Sequence, residues 1–208
     1  MHEYNACFIS YRNPDDPNAR QFVQAFVKVL TTQLQMNLPN ARVFFDENGL
    51  RVGDRISKIA LELCRSACLV ICYGPRHFDS THPWCTMEYL GMRQLEETRQ
   101  AQMAGYLQGN GLIFPVVFRG SNSLPEEVKT RKCAEFDDVV APRQFGTGKQ
   151  REKIDHLARE IYARWEELER AGIFANHDCS KFQLPEHEVG GWLQQNMSKR
   201  LTTMPGRS

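Results

Sequence analysis

Ala67–Tyr73 (ACLVICY) is a run of seven residues without a charge, stopped by Gly74-Pro75. It is far too short for a membrane helix, which needs roughly 20 apolar residues, and it lacks the alternation of a half-exposed strand. It therefore predicts a strand buried on both faces. A strand of that kind needs helices on either side, and sheets so covered are built from parallel strands joined by helical crossovers.

The rest of the chain fits that demand. Cys7–Tyr11 (CFISY) predicts a first strand and Arg42–Asp46 (RVFFD) a second. Gly111–Phe118 (GLIFPVVF) predicts a fourth and Ala134–Val140 a weak fifth. Between the first two strands, Asp16 and Pro17 open a helix as N-cap and first helical residue, and Phe22, Phe26, Leu30 and Leu34 recur every fourth position. Ile56, Ile59, Ala60 and Leu63 mark a second helix. Pro83 starts a third, with Trp84, Met87, Glu88, Met92 and Leu95; a short polar helix covers Pro125–Arg131. Lys149–Arg170 is a long helix with Ile154, Leu157, Ile161, Trp165 and Leu168 on one face. Pro115 cannot donate to a sheet ladder, so the fourth strand should carry an edge or a bulge there. The expected fold class is α/β, a five-stranded parallel sheet with helices on both faces.

With 208 residues, the chain has room for one ordinary domain and a small extension. Lys+Arg 26 against Asp+Glu 25 excludes bulk charge as a reason to bind nucleic acid or an anionic membrane. The first residues, MHEYNACFISYRN, show no signal-peptide pattern. The seven cysteines include no CxxC, and their expected state is that of buried, reduced thiols in a cytoplasmic protein. No metal site is expected: His177, Cys179 and His187 lack ligand spacing. Gly146-Thr147-Gly148-Lys149 is a loop-to-helix junction rather than a phosphate loop, because Arg143 stands where the first glycine belongs and Gln150 where Ser or Thr belongs.

In such folds ligands bind beyond the carboxyl ends of the strands, where the strand order reverses. In a 2-1-3-4-5 order the first and third strands are neighbours whose helices lie on opposite faces. A crevice then opens between Ser10-Tyr11-Arg12 and the helix that carries Trp84 and Glu88. Trp84 and Glu88 stand at i and i+4 and share one helix face, so an indole can stack on a flat ring while the carboxylate addresses the adjoining sugar. Read without that setting, the pair is more often a core aromatic and a solvated acid.

Phe8-Ile9-Ser10-Tyr11-Arg12, Val43-Phe44-Phe45-Asp46 with the loop to Gly53-Asp54 and Ile56, Trp84-x-x-x-Glu88 and Phe114-Pro115-Val116-Val117 occur in this order. Together they resemble a Toll/interleukin-1 receptor (TIR) domain over residues 4–170. The resemblance implies a flavodoxin-like fold and, as in the NAD-cleaving bacterial members, scission of the N-glycosidic bond of NAD. The products would be nicotinamide and linear or cyclised ADP-ribose. It implies Glu88 as the catalytic acid, with Trp84, Arg12, Tyr11 and Ser10 binding substrate. NAD would be a substrate, and no cofactor is implied. The BB loop, with Asp46, Gly49, Leu50, Arg51, Gly53, Asp54 and Arg55, would mediate self-association into a filament or other higher oligomer, under control of a regulatory partner chain or ligand. Asp54 or Arg55 stands where some active members have an aromatic. A role in bacterial immune or antiphage defence is implied by analogy. Two alternatives stay open: a non-catalytic TIR module acting through homotypic contacts, and a domain that binds a nucleotide without turning it over. Residues 171–208 fall outside the resemblance, with one short helix expected over Pro185–Gln195 and a frayed basic end.

Overall fold

A computed structural model describes residues 4–12, 17–45, 56–103, 111–176 and 178–201. Asp16 and the BB-loop residues Asp46, Gly49, Leu50, Arg51, Gly53, Asp54 and Arg55 lie outside the described residues.

Five strands, Asn5–Tyr11 (β1), Arg42–Phe44 (β2), Ser66–Tyr73 (β3), Ile113–Val117 (β4) and Ala134–Glu135 (β5), form one parallel sheet in the order β2-β1-β3-β4-β5. Every residue of β3 is buried, as its apolar run requires. Helices Pro17–Asn37 (α1) and Gly148–Arg170 (α5) pack together on one face. On the other, Ile56–Cys64 (α2) packs against Trp84–Gln102 (α3). This is a flavodoxin-like α/β fold. The i+4 spacing of α1 puts Phe26, Leu30 and Leu34 in the core at 0% exposure, each worth about 1.5–3 kcal/mol of burial. Phe26 meets Phe118, Phe136 and Phe145 edge-on, which joins α1 to the ends of β4 and β5.

Several expected boundaries are corrected. β2 ends at Phe44 and β4 runs only over Ile113–Val117. β5 is two residues long, because Phe136 and Val139 turn into the core beyond it. No bulge accompanies Pro115, for its register with Ile71 is continuous. The carbonyl of Leu112 and the N–H of Phe118 bond to β3, whereas the Val117 carbonyl accepts from Phe136. By alternation Pro115 also points away from β3, towards β5, which begins pairing only at Val116. Its missing donor therefore costs no ladder bond, and at that position β4 is an edge.

The expectation of reduced thiols is also corrected. Cys64 and Cys179 form a disulfide across 115 residues, leaving Cys7, Cys68, Cys72, Cys85 and Cys133 free. The bond ties the segment after α5 to the end of α2. That segment contains the short helix Ile173–Asn176 (α6) and Glu186–Leu201 (α7), a helix longer than expected; the short helix Glu126–Lys129 (α4) comes earlier, before β5. Trp192 of α7 is buried, packs tilted against Tyr89 and donates to Glu127 Oε2 at 2.6 Å. Leu184 and Phe182 close over Gly91 of α3, where a Cβ would meet Leu184 at 2.9 Å. Among the described residues, no helix is long and apolar enough to cross a membrane.

Arg99, in the last turn of α3, is 0% exposed. Its guanidinium donates to the carbonyls of Ser66, Ala67 and Cys64. Burial lowers its pKa to about 10, which leaves it charged at neutral pH. Arg99→Met removes the donor from all three carbonyls, at about 1–3 kcal/mol for each buried group left unpaired. We expect urea unfolding to report a loss of about 3 kcal/mol or more, while Lys28→Met on exposed α1 surface stays within about 0.5 kcal/mol. An unchanged midpoint for Arg99→Met would mean that the carbonyls find other partners.

Candidate functional site

β1 and β3 run side by side to their carboxyl ends, with Ser10 opposite Ile71 and Tyr11 opposite Cys72. The chain leaves β1 towards α1 on one face and β3 towards α3 on the other. The gap between these two exits is where an open α/β sheet takes its ligand.

Below the gap, Ser10 and His77 are both buried, with Ser10 Oγ 3.4 Å from His77 Nε2. Burial and the nearby Arg12 charge drive the His77 pKa down to about 3, against a hydrogen bond to the Cys72 carbonyl that pulls the other way. The imidazole is therefore neutral at physiological pH. On the other side of Ser10 stands Cys85, hydrogen-bonded to its hydroxyl. Burial and the Glu88 carboxylate raise the Cys85 pKa well above that of a free thiol. Cys85 thus stays protonated and is no nucleophile at neutral pH. Ser10 and His77 do not make a hydrolytic dyad either, since both are 1% exposed.

Above the gap, Arg12 Nη1 donates to Asp79 Oδ2 at 2.6 Å and to the Arg76 carbonyl at 3.0 Å, and Nη2 lies 3.1 Å from His82 Nδ1. The Thr81 N–H and Arg12 together hold the Asp79 carboxyl down at about 2. The turn over 79–82 leads into Pro83 and the first residue of α3, Trp84.

α3 is buried all round from Cys85 to Met92, between the sheet, α2 and the tail. Trp84 is half-buried, with its ring against the core cluster. Glu88 is 9% exposed, which corrects the expectation of a solvated acid. The Cys85 thiol is the common neighbour of Ser10, Arg12 and Glu88: it bonds the first and feels the charge of the other two. So three of the expected residues, Ser10, Arg12 and Glu88, share the Cys85 thiol as a neighbour, and Trp84 stands one residue before it at the start of α3. Strand alternation turns Tyr11 away from Ser10 and Arg12, and its ring lies 4.9 Å from Phe45.

His77, Asp79, His82 and Cys85 were not legible as site residues. The Asp79-Ser80-Thr81 spacing before Pro83 carries the signal of an Asx turn, which would have found Asp79. No three metal-ligating side chains gather anywhere among the described residues. No protein-family model matches the chain, and no curated protein is significantly similar to it.

The buried His77 sets a pH dependence. Its pKa moves from 6.5 when unfolded to about 3 when folded, so between these values the unfolded chain binds a proton that the native chain does not. Stability is therefore lost as pH falls through 6.5. We expect chemical denaturation to show about 1 kcal/mol less stability at about pH 5.5 than at about pH 7 from this group. His77→Gln should flatten that slope whatever its own stability. A slope identical in the variant would mean that the ring is solvated.

Proposed function

We propose that the chain is a TIR-type NAD+ glycohydrolase or cyclase, releasing nicotinamide and ADP-ribose or a cyclic isomer. The observation that carries this reading is the Trp84-x-x-x-Glu88 pair opening a helix at the carboxyl ends of β1 and β3, in a flavodoxin-like sheet. Nicotinamide leaves as a neutral molecule, so the step needs no acid to protonate it. The barrier is the oxocarbenium-like sugar left behind. A carboxylate beside it stabilises the developing charge, and does so more strongly where water is excluded. Glu88 has that setting: nearly buried and next to a neutral thiol. Trp84 offers the ring face for stacking, while the buried Ser10 serves the Cys85 thiol rather than the substrate. Water or an adenine nitrogen traps the cation.

We further propose that the chain works in the cytoplasm as part of bacterial immune or antiphage defence. Five free thiols fit a reducing compartment. The disulfide does not argue against it strongly, because Cys64 is 0% and Cys179 9% exposed, out of easy reach of soluble reductants. The competing reading, a TIR module that signals by homotypic contacts without turnover, draws support from the burial of Glu88.

Nicotinamide release separates the two. We expect wild-type chain to release it from NAD and Glu88→Gln to lose at least a hundredfold in turnover while melting within a few degrees of wild type. Glutamine keeps the volume and removes the charge. Wild-type turnover in a folded Glu88→Gln protein would end the mechanism, and a wild-type chain without turnover at any concentration would favour the assembly module. We also expect turnover per chain to climb with protein concentration, since the proposed BB-loop contacts would complete the site from a neighbouring copy. Constant turnover per chain from dilute to concentrated samples would show that one chain suffices.

A further inference from the structure

We infer that Arg12 is a positioning residue, whose guanidinium clamps the 76–82 segment to the end of β1 and so fixes where α3 starts. This rests on the NAD-cleaving reading for its consequence but not for its geometry. The resemblance would make Arg12 a ligand for the substrate's pyrophosphate. Its two terminal nitrogens are, however, already committed within the chain. Nη1 serves Asp79 and the Arg76 carbonyl, and Nη2 meets His82 Nδ1.

The acceptors are themselves organised. Asp79 Oδ1 takes the Thr81 N–H and hydroxyl, both at 2.9 Å, which leaves Oδ2 for Arg12. The Thr81 hydroxyl also lies 2.9 Å from His82 Nδ1. For that nitrogen to accept, its proton must sit on Nε2. His82 N–H closes the turn on the Asp79 carbonyl at 3.1 Å. The arginine side chain is 21% exposed and that of Asp79 27%. A lone ion pair at the surface contributes little. A planar fork reaching a carboxylate, a carbonyl and an imidazole at once fixes orientation, which a lysine's single ammonium cannot do.

α3 needs such an anchor. Its N-cap is Pro83, which has no side-chain donor or acceptor, and no side-chain cap bond is made there. The first residue after it is Trp84, with Glu88 one turn on. Freeing the turn would let the helix start fray, and with it the indole and the carboxylate.

The test uses the whole chain as wild type, Arg12→Ala, Arg12→Lys, Asp79→Asn and the double variant Arg12→Ala/Asp79→Asn. Nicotinamide release is read as kcat and KM, and amide hydrogen exchange is followed over residues 76–90. The expected result is a ten- to hundredfold fall in kcat for Arg12→Ala and for Asp79→Asn, with KM within about threefold. The double variant should be no worse than the poorer single one, Arg12→Lys should restore little, and exchange at Thr81, His82 and the first turn of α3 should quicken in every variant. A tenfold or larger rise in KM for Arg12→Ala, with Asp79→Asn like wild type and exchange unchanged, would overturn the proposal and return Arg12 to substrate binding. If the wild-type chain cleaves no NAD, the glycohydrolase reading fails, and exchange still decides the clamp: unchanged protection in Arg12→Ala would refute it.

Discussion

Everything at the crevice depends on a helix that has no freedom to move. Arg99 ends α3 by spending its charge on the carbonyls of Ser66, Ala67 and Cys64, where β3 begins and α2 stops. The Cys64 carbonyl is one of those at a helix end that lack a partner within the helix, while the other two open β3. One turn earlier Glu96 accepts the Leu112 N–H and a two-pronged bond from Arg131, so the same end of α3 also holds β4. A Cβ at Gly111 would lie 2.6 Å from Glu96 Oε1, so a larger residue there would push that carboxylate out of its place. At the opposite end, the Arg12–Asp79 turn meets Pro83. A buried arginine at the rear and a shared one at the front fix the axis on which Trp84 and Glu88 stand.

That rigidity bears on which chemistry the site can run. Around Ser10 sit a serine, a cysteine and a histidine, the residue types of nucleophilic hydrolases. Burial works against them in that role, since it keeps the thiol protonated and lowers the imidazole pKa to about 3, which makes it a poor base. What remains is one carboxylate beside neutral polar groups. Such a setting suits a reaction whose transition state gains positive charge and whose leaving group needs no proton. It does not suit acyl transfer, which would need an activated nucleophile and donors aimed at an oxyanion.

The alternation of strands with helices and the core faces of the helices could be read from period, because a residue such as Leu30 or Ile161 has a single physical reason to recur where it does, whereas the strand order came with the family resemblance. Pro115 shows where period stops helping: whether a proline is tolerated depends on how far the next strand extends, and β5 proved two residues long. The Cys64–Cys179 bond was illegible for a similar reason. Pairing depends on which segment folds back on α2, and nothing in the tail's spacing announces that. Trp84 and Glu88 stand one turn apart on one helix, as their spacing indicated, but the near-burial of Glu88 could not be read from spacing, since it depends on what the fold packs around α3.

The tail is therefore part of the site's architecture. Its contribution is partly entropic: closing a loop of 115 residues by a disulfide restricts the unfolded chain by about 4–5 kcal/mol in the chain-entropy description. It is also polar. Burial disfavours the Glu127 carboxylate, yet donors from Tyr89, Trp192 and Arg93 outweigh that and lower its pKa. One acid on α4 thus links α3, through Tyr89 and Arg93, to α7, through Trp192. Arg93 reaches Glu188 as well, which closes the link from the other side. These contacts begin at Tyr89, the residue after Glu88, and continue at Arg93 on the same helix. Under the glycohydrolase proposal, a carboxylate that meets a short-lived cation gains little from strength and much from being held in place, and the tail would supply the outer half of that hold.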